Sequence, residues 1–452
     1  MHRPVAHPTL VQRACLAAAG LLLASSGAMA ADAPRAVGQL IIKFDSAATE
    51  RSAGNQLASV AQRHQARLAA AHKLALGAQV FTLERELSPD AAQALAQDIS
   101  RLPGVAYAEP DLKVQAFAPN DPLWANQWHY HDATAGIRLE AAWAQGAQGQ
   151  GVVVGVLDTG YRPHADLVAN ILPGYDFVSN KKKARDGNAR DAIALDEGDW
   201  TRLYGFIPVS SSWHGTHVAG TVAAVTNNGA GLAGVAPQAK VMPVRVLAKD
   251  GGTTSDIADA IIWASGGHVP GIADTATPVK VINMSLGGSG ACGTTMQQAI
   301  DGAIGRGVVV VVAAGNSSAD VSGFQPANCN GVLAIAATGA TGGRASYSNF
   351  GARIDLAAPG GDNGAPVWST SNTGKKLPAA DTYLGGSYMG TSMAAPHVAG
   401  VAALMLGKNP QLSPAQVGTI LKNSARAFPA PCSQCGSGLL DAAAAVAATP
   451  AP

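Results

Sequence analysis

The chain has 452 residues, of which 47% are hydrophobic and 13% charged, with a formal net charge of +1. That length can bury a large core and hold two or three domains. Near-neutrality removes any electrostatic case for nucleic acid or an anionic membrane surface as partner.

Residues 1–30 have the form of an export signal. Basic His2, Arg3 and Arg13 precede the apolar run "ACLAAAGLLLA", and Ala28 and Ala30 supply a small-residue cleavage pattern. The run is shorter than the roughly 20 residues needed to span a bilayer. Loss of this segment removes Cys15 and leaves Cys292, Cys329, Cys432 and Cys435. An even set in an exported chain reads as two disulfides with three possible connectivities, and the sequence-nearest pairing is favoured. A four-thiolate zinc site is the weaker rival, because the first two cysteines are not in a Cys-x-x-Cys pair.

A small unit follows over about residues 37–115. "VGQLIIKF" reads as strand, residues 50–71 as helix, and "AQVFTLE" as strand. "SPDAAQALAQDISRL" reads as a helix capped by Ser88 with Pro89 in its first turn, and "GVAYAEPDLKVQ" as strand. The order suggests a small ferredoxin-like α+β sandwich. Pro119 and Pro122 then sit in an aperiodic linker.

From Gly149 onward the pattern changes. The runs "VVVGVLD", "AKVMPVRVL", "KVINMSL", "GVVVVVAAG" and "GVLAIAAT" are wholly apolar, and Ala-rich helical segments separate them. Continuous apolar strands alternating with helices predict an α/β fold, a doubly wound and mainly parallel sheet with helices on both faces. Chemistry on such sheets gathers at the carboxyl ends of the strands.

Three stretches there could carry a reaction. "VVVGVLDTGY" places Asp158 where a strand ends. Its Asp-Thr-Gly triplet also occurs in aspartic proteases, but the second such triplet that their shared-proton chemistry needs is absent. "GQGVVVG" imitates a dinucleotide fingerprint with its glycines on the wrong side of the strand. "SSWHGTHVAGTVAAV" puts His214 at the head of a helix and His217 one turn inside, where it reads as packed core; the spacing is not that of a zinc protease. "GTSMAAPHVAGVAALM" puts Ser392 at the start of another helix, where the partial positive charge of the N-terminus favours a developing oxyanion. A hydroxyl becomes a nucleophile only with a base, and the base needs an orienting group. Asp158, His214 and Ser392 supply all three roles.

With "VGVLDTG", "HGTHVAGT" and "GTSMAAPHVAG" in this order, the chain resembles the subtilisin (subtilase) family of serine proteases, in particular its secreted, calcium-dependent bacterial branch. The similarity covers about Pro119 to Val446. It implies a subtilisin-like peptidase domain over 119–452. It also implies a propeptide over 31–118 that assists folding, inhibits transiently, and is cut off near Phe117–Asn120. "VVAAGN" implies Asn316 as the oxyanion donor. "NMSLGG" implies that Ser285, Leu286, Gly287 and Gly288 form the edge that pairs with an extended substrate.

Calcium (Ca2+) is implied at two places. Val225, Asn228, Ala230 and Leu232 match a calcium-binding loop, completed by Asp121 and Asp166. The acidic run with Asp186, Asp191, Asp196 and Asp199 is the second candidate, with a solvated loop as the alternative. Expected partners are protein or peptide substrates and the chain's own propeptide, with no nucleic acid, no membrane once the signal is gone, and a monomeric state. The expected location is outside the cell, by way of the periplasm where one exists. Two other function classes compete: a binding protein on an inactive protease scaffold, against which the complete triad counts, and an esterase, whose Gly-x-Ser-x-Gly elbow is absent.

Overall fold

The computed structural model describes residues 36–112, 118–384 and 388–452. The expected signal segment lies outside them. The chain divides into two compact units, Met1–Gln115 and Ala116–Pro452.

In the first unit four antiparallel strands lie in the order Leu68–Lys73, Gln79–Leu87, Val37–Phe44, Val105–Pro110. Helices Gly54–Arg63 and Pro89–Ser100 cover the sheet. They bury Leu57, Val60, Leu95 and Ile99 with Leu40 and Ile42. Ser88 caps the second helix by accepting from the Ala91 N–H, with Pro89 in the first turn where no backbone donor is missed. The helix expected over 50–71 is shorter than its composition suggests. It stops at Arg63, Gln65 takes φ 53°, and Leu68–Lys73 becomes an edge strand on Gln79–Leu87. Ladder hydrogen bonds there outweigh the helix preference of "LAAA".

In the second unit seven parallel strands form one sheet. Their order is Leu356–Pro359, Leu333–Thr338, Val309–Ala313, Val281–Met284, Val153–Asp158, Lys240–Arg245, Tyr175–Asp176. The apolar runs are continuous because both faces are buried. Val309 and Val311 enter one core with Val218 and Val222 of helix His214–Ala223 and Val398 and Val401 of helix Thr391–Lys408. Val310 and Val312 enter the other, with Ile257 and Ile261 of helix Thr254–Ala264 and Met296 and Ile300 of helix Thr294–Gly305. Successive side chains of a strand point to opposite faces, so one valine run serves two cores.

The strand Val153–Asp158 comes first in this sheet, with Lys240–Arg245 and the edge strand Tyr175–Asp176 on one side of it and the later strands on the other. Its neighbour Val281–Met284 lies across the reversal of strand order, where such sheets open a crevice at their carboxyl ends. Disulfides join Cys292 to Cys329 and Cys432 to Cys435. Among the described residues no helix is long and apolar enough to cross a membrane.

Candidate active site

Asp158 ends its strand fully buried, and its Oδ1 accepts the Thr159 N–H at 2.7 Å. His214 opens the helix His214–Ala223 directly after Trp213, whose φ of 53° turns the chain into it. Trp213 is anchored by its indole N–H to the Gly374 carbonyl at 2.7 Å. Gly215 fits there because a Cβ would overlap the Gly160 carbonyl.

His214 Nδ1 lies 2.7 Å and 2.9 Å from the two carboxylate oxygens of Asp158. Carboxylate oxygens only accept, so the ring proton sits on Nδ1 and the Nε2 lone pair is left free. Burial works to lower the imidazole's pKa, but the Asp158 charge and hydrogen bond, with the charges of Asp199 and Asp196, outweigh it and hold it above its usual value.

Ser392 is the second residue of the helix Thr391–Lys408. Pro396 lies inside that helix and has no N–H, so the Ser392 carbonyl four residues earlier lacks its helical partner. The Ser285 hydroxyl takes the vacant place and donates to this carbonyl at 2.7 Å. In return Ser392 Oγ donates to the Ser285 carbonyl at 3.2 Å, not to His214. Rotation about one side-chain bond redirects that hydroxyl. His214, Ser392 and Asn316 all line one cavity of about 650 Å³.

Asn316 follows the strand Val309–Ala313. Its Oδ1 accepts both the N–H and the hydroxyl of Thr391 at 2.9 Å. Thr391 Oγ1 itself accepts the Gly315 N–H at 3.0 Å. With its oxygen fixed by two donors, the amide presents Nδ2 away from them. Asn316 and Ser392 also line an adjoining cavity of about 340 Å³, walled by Ser285, Leu286, Gly287 and Gly288. Gly288 is already paired with Gln325 in a two-residue ladder.

The expected calcium residues converge. Asp121 accepts the N–H groups of Asn227 and Asn228 at 2.9 and 3.3 Å. Asp166 accepts the Asn228 side-chain amide at 2.7 Å and the Leu232 N–H at 3.0 Å. The carbonyls of Val225, Ala230 and Leu232 accept no backbone hydrogen bond among the described residues. Burial raises both carboxyls. For Asp166 burial, joined by the Asp121 charge, outweighs its hydrogen bonds and pushes it up to about 6. Free carbonyls beside two buried carboxylates fit a hard cation.

The acidic run does not form a second cluster. Asp186 pairs with the buried Arg245, which also holds Asp176. Asp191 accepts the Ile193 N–H, Asp196 the Thr159 hydroxyl at 2.6 Å, and Asp199 the Ser212 N–H and hydroxyl at 2.6 and 2.8 Å. Each carboxylate has a partner of its own, and among the described residues no three His, Cys, Asp or Glu side chains are grouped to hold an ion.

Two of these contacts were missed by sequence reasoning and bear on the site. Thr159 Oγ1 accepts the Gly215 N–H at 3.0 Å while donating to Asp196, tying the strand end of Asp158 to the helix of His214. Asp199 holds Ser212, whose Oγ accepts the His214 N–H at 3.3 Å. His217 is buried, stacked on Tyr388 at 4.2 Å, and burial pushes it down to about 3, so it stays neutral.

The subtilase family model matches residues 149–438. An extracellular protease of Xanthomonas campestris pv. campestris is 54% identical over 83% of this chain and 65% of its own length. An extracellular basic protease of Dichelobacter nodosus is 45% identical over 82% of this chain and 63% of its own. The chain thus spans a little under two thirds of the length of these relatives. A solved protease structure from Pseudoalteromonas arctica is 56% identical, covers 74% of this chain and 100% of its own, and superposes with a TM-score of 0.72.

Proposed function

The chain belongs to the subtilase family, and from that premise we propose that it is a secreted serine endopeptidase made as a self-processing precursor. The observation that carries the proposal is the Asp158–His214 pair facing Ser392 across one cavity.

Ser392 Oγ attacks the scissile carbonyl as His214 Nε2 takes its proton. Asp158 keeps the Nδ1 proton in place and stabilises the imidazolium that forms. The negative oxygen of the tetrahedral intermediate is met by Asn316 Nδ2–H and the Ser392 N–H at the helix start. His214 then returns the proton to the leaving amine as the C–N bond breaks, and water, activated by the same imidazole, hydrolyses the acyl-enzyme. Backbone hydrogen bonds along Ser285–Gly288 grip any extended peptide, which supports broad specificity. Residues 1–30 act as signal and 31–118 as inhibitory propeptide, removed near Phe117–Asn120. Asp121, Asp166, Asn228 and the carbonyls of Val225, Ala230 and Leu232 would hold a calcium ion, which would supply stability and not chemistry.

Ser392→Ala tests this reading. The variant accumulates as the full-length precursor and takes no label from a sulfonyl or phosphonyl fluoride that modifies the wild type. Normal processing of the variant overturns it.

A further inference from the structure

Five of the eleven exposed large apolar side chains among the described residues fall between Leu203 and Val209. They sit on a hairpin of strands Thr201–Leu203 and Ile207–Val209. Its turn holds Tyr204 at φ 52° and Gly205 at φ 78°. Tyr204 is 86% exposed and Phe206 71%, with Leu203, Ile207 and Val209 beside them. Scattered apolar residues on a surface need no explanation, but a contiguous group marks a binding surface. A left-handed conformation at a bulky residue is also uncommon.

The base of the hairpin is fixed. The Trp200 ring carries two cations, Arg185 at 4.1 Å from its centre and Lys376 at 4.8 Å. The Trp200 N–H donates to Ser211 Oγ, which donates to the Lys376 carbonyl at 2.6 Å. Thr201 donates to Asp250 at 2.9 Å. An anchored base with an uncovered apolar tip is a pre-organised contact surface, which loses little freedom on binding.

What it contacts follows from where it leads. The strand Ile207–Val209 runs straight into Ser210, and Ser210 to His214 line the cavity shared with Ser392. We propose that this hairpin is an exosite for the polypeptide substrate itself, taking aromatic and branched apolar side chains remote from the scissile bond. The inference rests on the endopeptidase reading. Ser210 lies six chain steps after Tyr204. At about 3.3 Å per residue the tip lies at most ~20 Å beyond the cavity. A substrate that continues up to about six residues past the cavity reaches it, so the exosite favours unfolded protein chains over short peptides.

The test compares β-casein with a blocked tetrapeptide anilide, using the mature enzyme and its Tyr204→Ser/Phe206→Ser and Leu203→Ser/Ile207→Ser variants. The expected result is a KM for casein raised about tenfold with little change in kcat, the scale of losing buried aromatic anchors. The anilide is cleaved as before at an unchanged melting temperature, and Tyr204→Phe retains the wild-type KM. Equal losses on both substrates, or none on casein, overturn the exosite while leaving the endopeptidase reading standing. Loss of binding to phosphatidylglycerol vesicles with casein unaffected also overturns it, in favour of a lipid surface. A wild-type enzyme that cleaves neither substrate overturns both readings.

Discussion

Asn316 is where the proposed chemistry is most sharply exposed to experiment. Replacing it with alanine removes a donor that acts only on the oxyanion, so kcat falls while KM stays within about twofold. The expected loss is on the order of 10²–10³ in kcat, the scale of removing one oxyanion donor. Thr391→Val gives the contrasting case, and here the geometry sets the size. Two Thr391 bonds hold Asn316 Oδ1. At about 1 kcal/mol net each, they favour the productive amide orientation by about 30 to 1. Valine keeps the backbone N–H alone, and the preference falls to about 5 to 1. The productive fraction then drops by less than about a fifth, so kcat changes by less than about twofold. Stability suffers more, because the part-buried Gly315 N–H loses the Thr391 hydroxyl as its acceptor. An orphaned donor of that kind costs about 1–3 kcal/mol. Steady-state kinetics on a tetrapeptide anilide, with melting curves of the same samples, separate the two effects. Asn316→Ala with kcat within threefold of wild type refutes the reasoning, and so does Thr391→Val losing as much activity as Asn316→Ala.

The remaining predictions concern charge. His214 must be neutral to accept a proton and its pKa is raised. kcat/KM therefore rises with pH through a midpoint above that of an ordinary imidazole, and Asp199→Asn moves that limb toward acid by removing one of the charges that hold the imidazole up. An alkaline shift in that variant contradicts the electrostatics. For calcium, Asp166 in the ion-free chain is raised to about 6. A raised carboxyl contributes stability at low pH that is lost as pH rises through that value, so the ion-free protein weakens between about pH 4 and pH 6. Bound calcium reverses the loss at pH 8, by about 2.7 kcal/mol when free ion is a hundredfold above Kd. Stripping the ion with a chelating resin at pH 8 before dilution into either buffer therefore lowers the melting temperature at pH 8 much more than at pH 5, and Asp166→Asn removes the difference. A melting curve at pH 8 that ignores the chelator rejects the ion.

Much of this was legible because local pattern and tertiary role coincide. An uninterrupted valine run such as Val308–Val312 can only serve a sheet covered twice, and the structure divides those valines between two cores. The helix starts at His214 and Ser392 were legible for the same reason, since each is visible in one stretch of sequence, and the structure places both residues there. The acidic run shows the opposite case. Its charges are plain in the sequence, but their use is set by partners far along the chain: Arg245, 59 residues from Asp186, and Thr159, 37 residues before Asp196. A buried carboxylate is satisfied by whichever donor the fold delivers, and no spacing rule says whether that donor is a metal ion or a guanidinium. The hairpin was illegible for a related reason. "TRLYGFIPV" has the residues of a core strand, and among the described residues these side chains are exposed and form a surface. Sequence pattern reports what a residue would gain by burial. Whether the chain itself supplies the cover, or leaves it for a substrate to supply, depends on long-range packing, and that is where the two readings part.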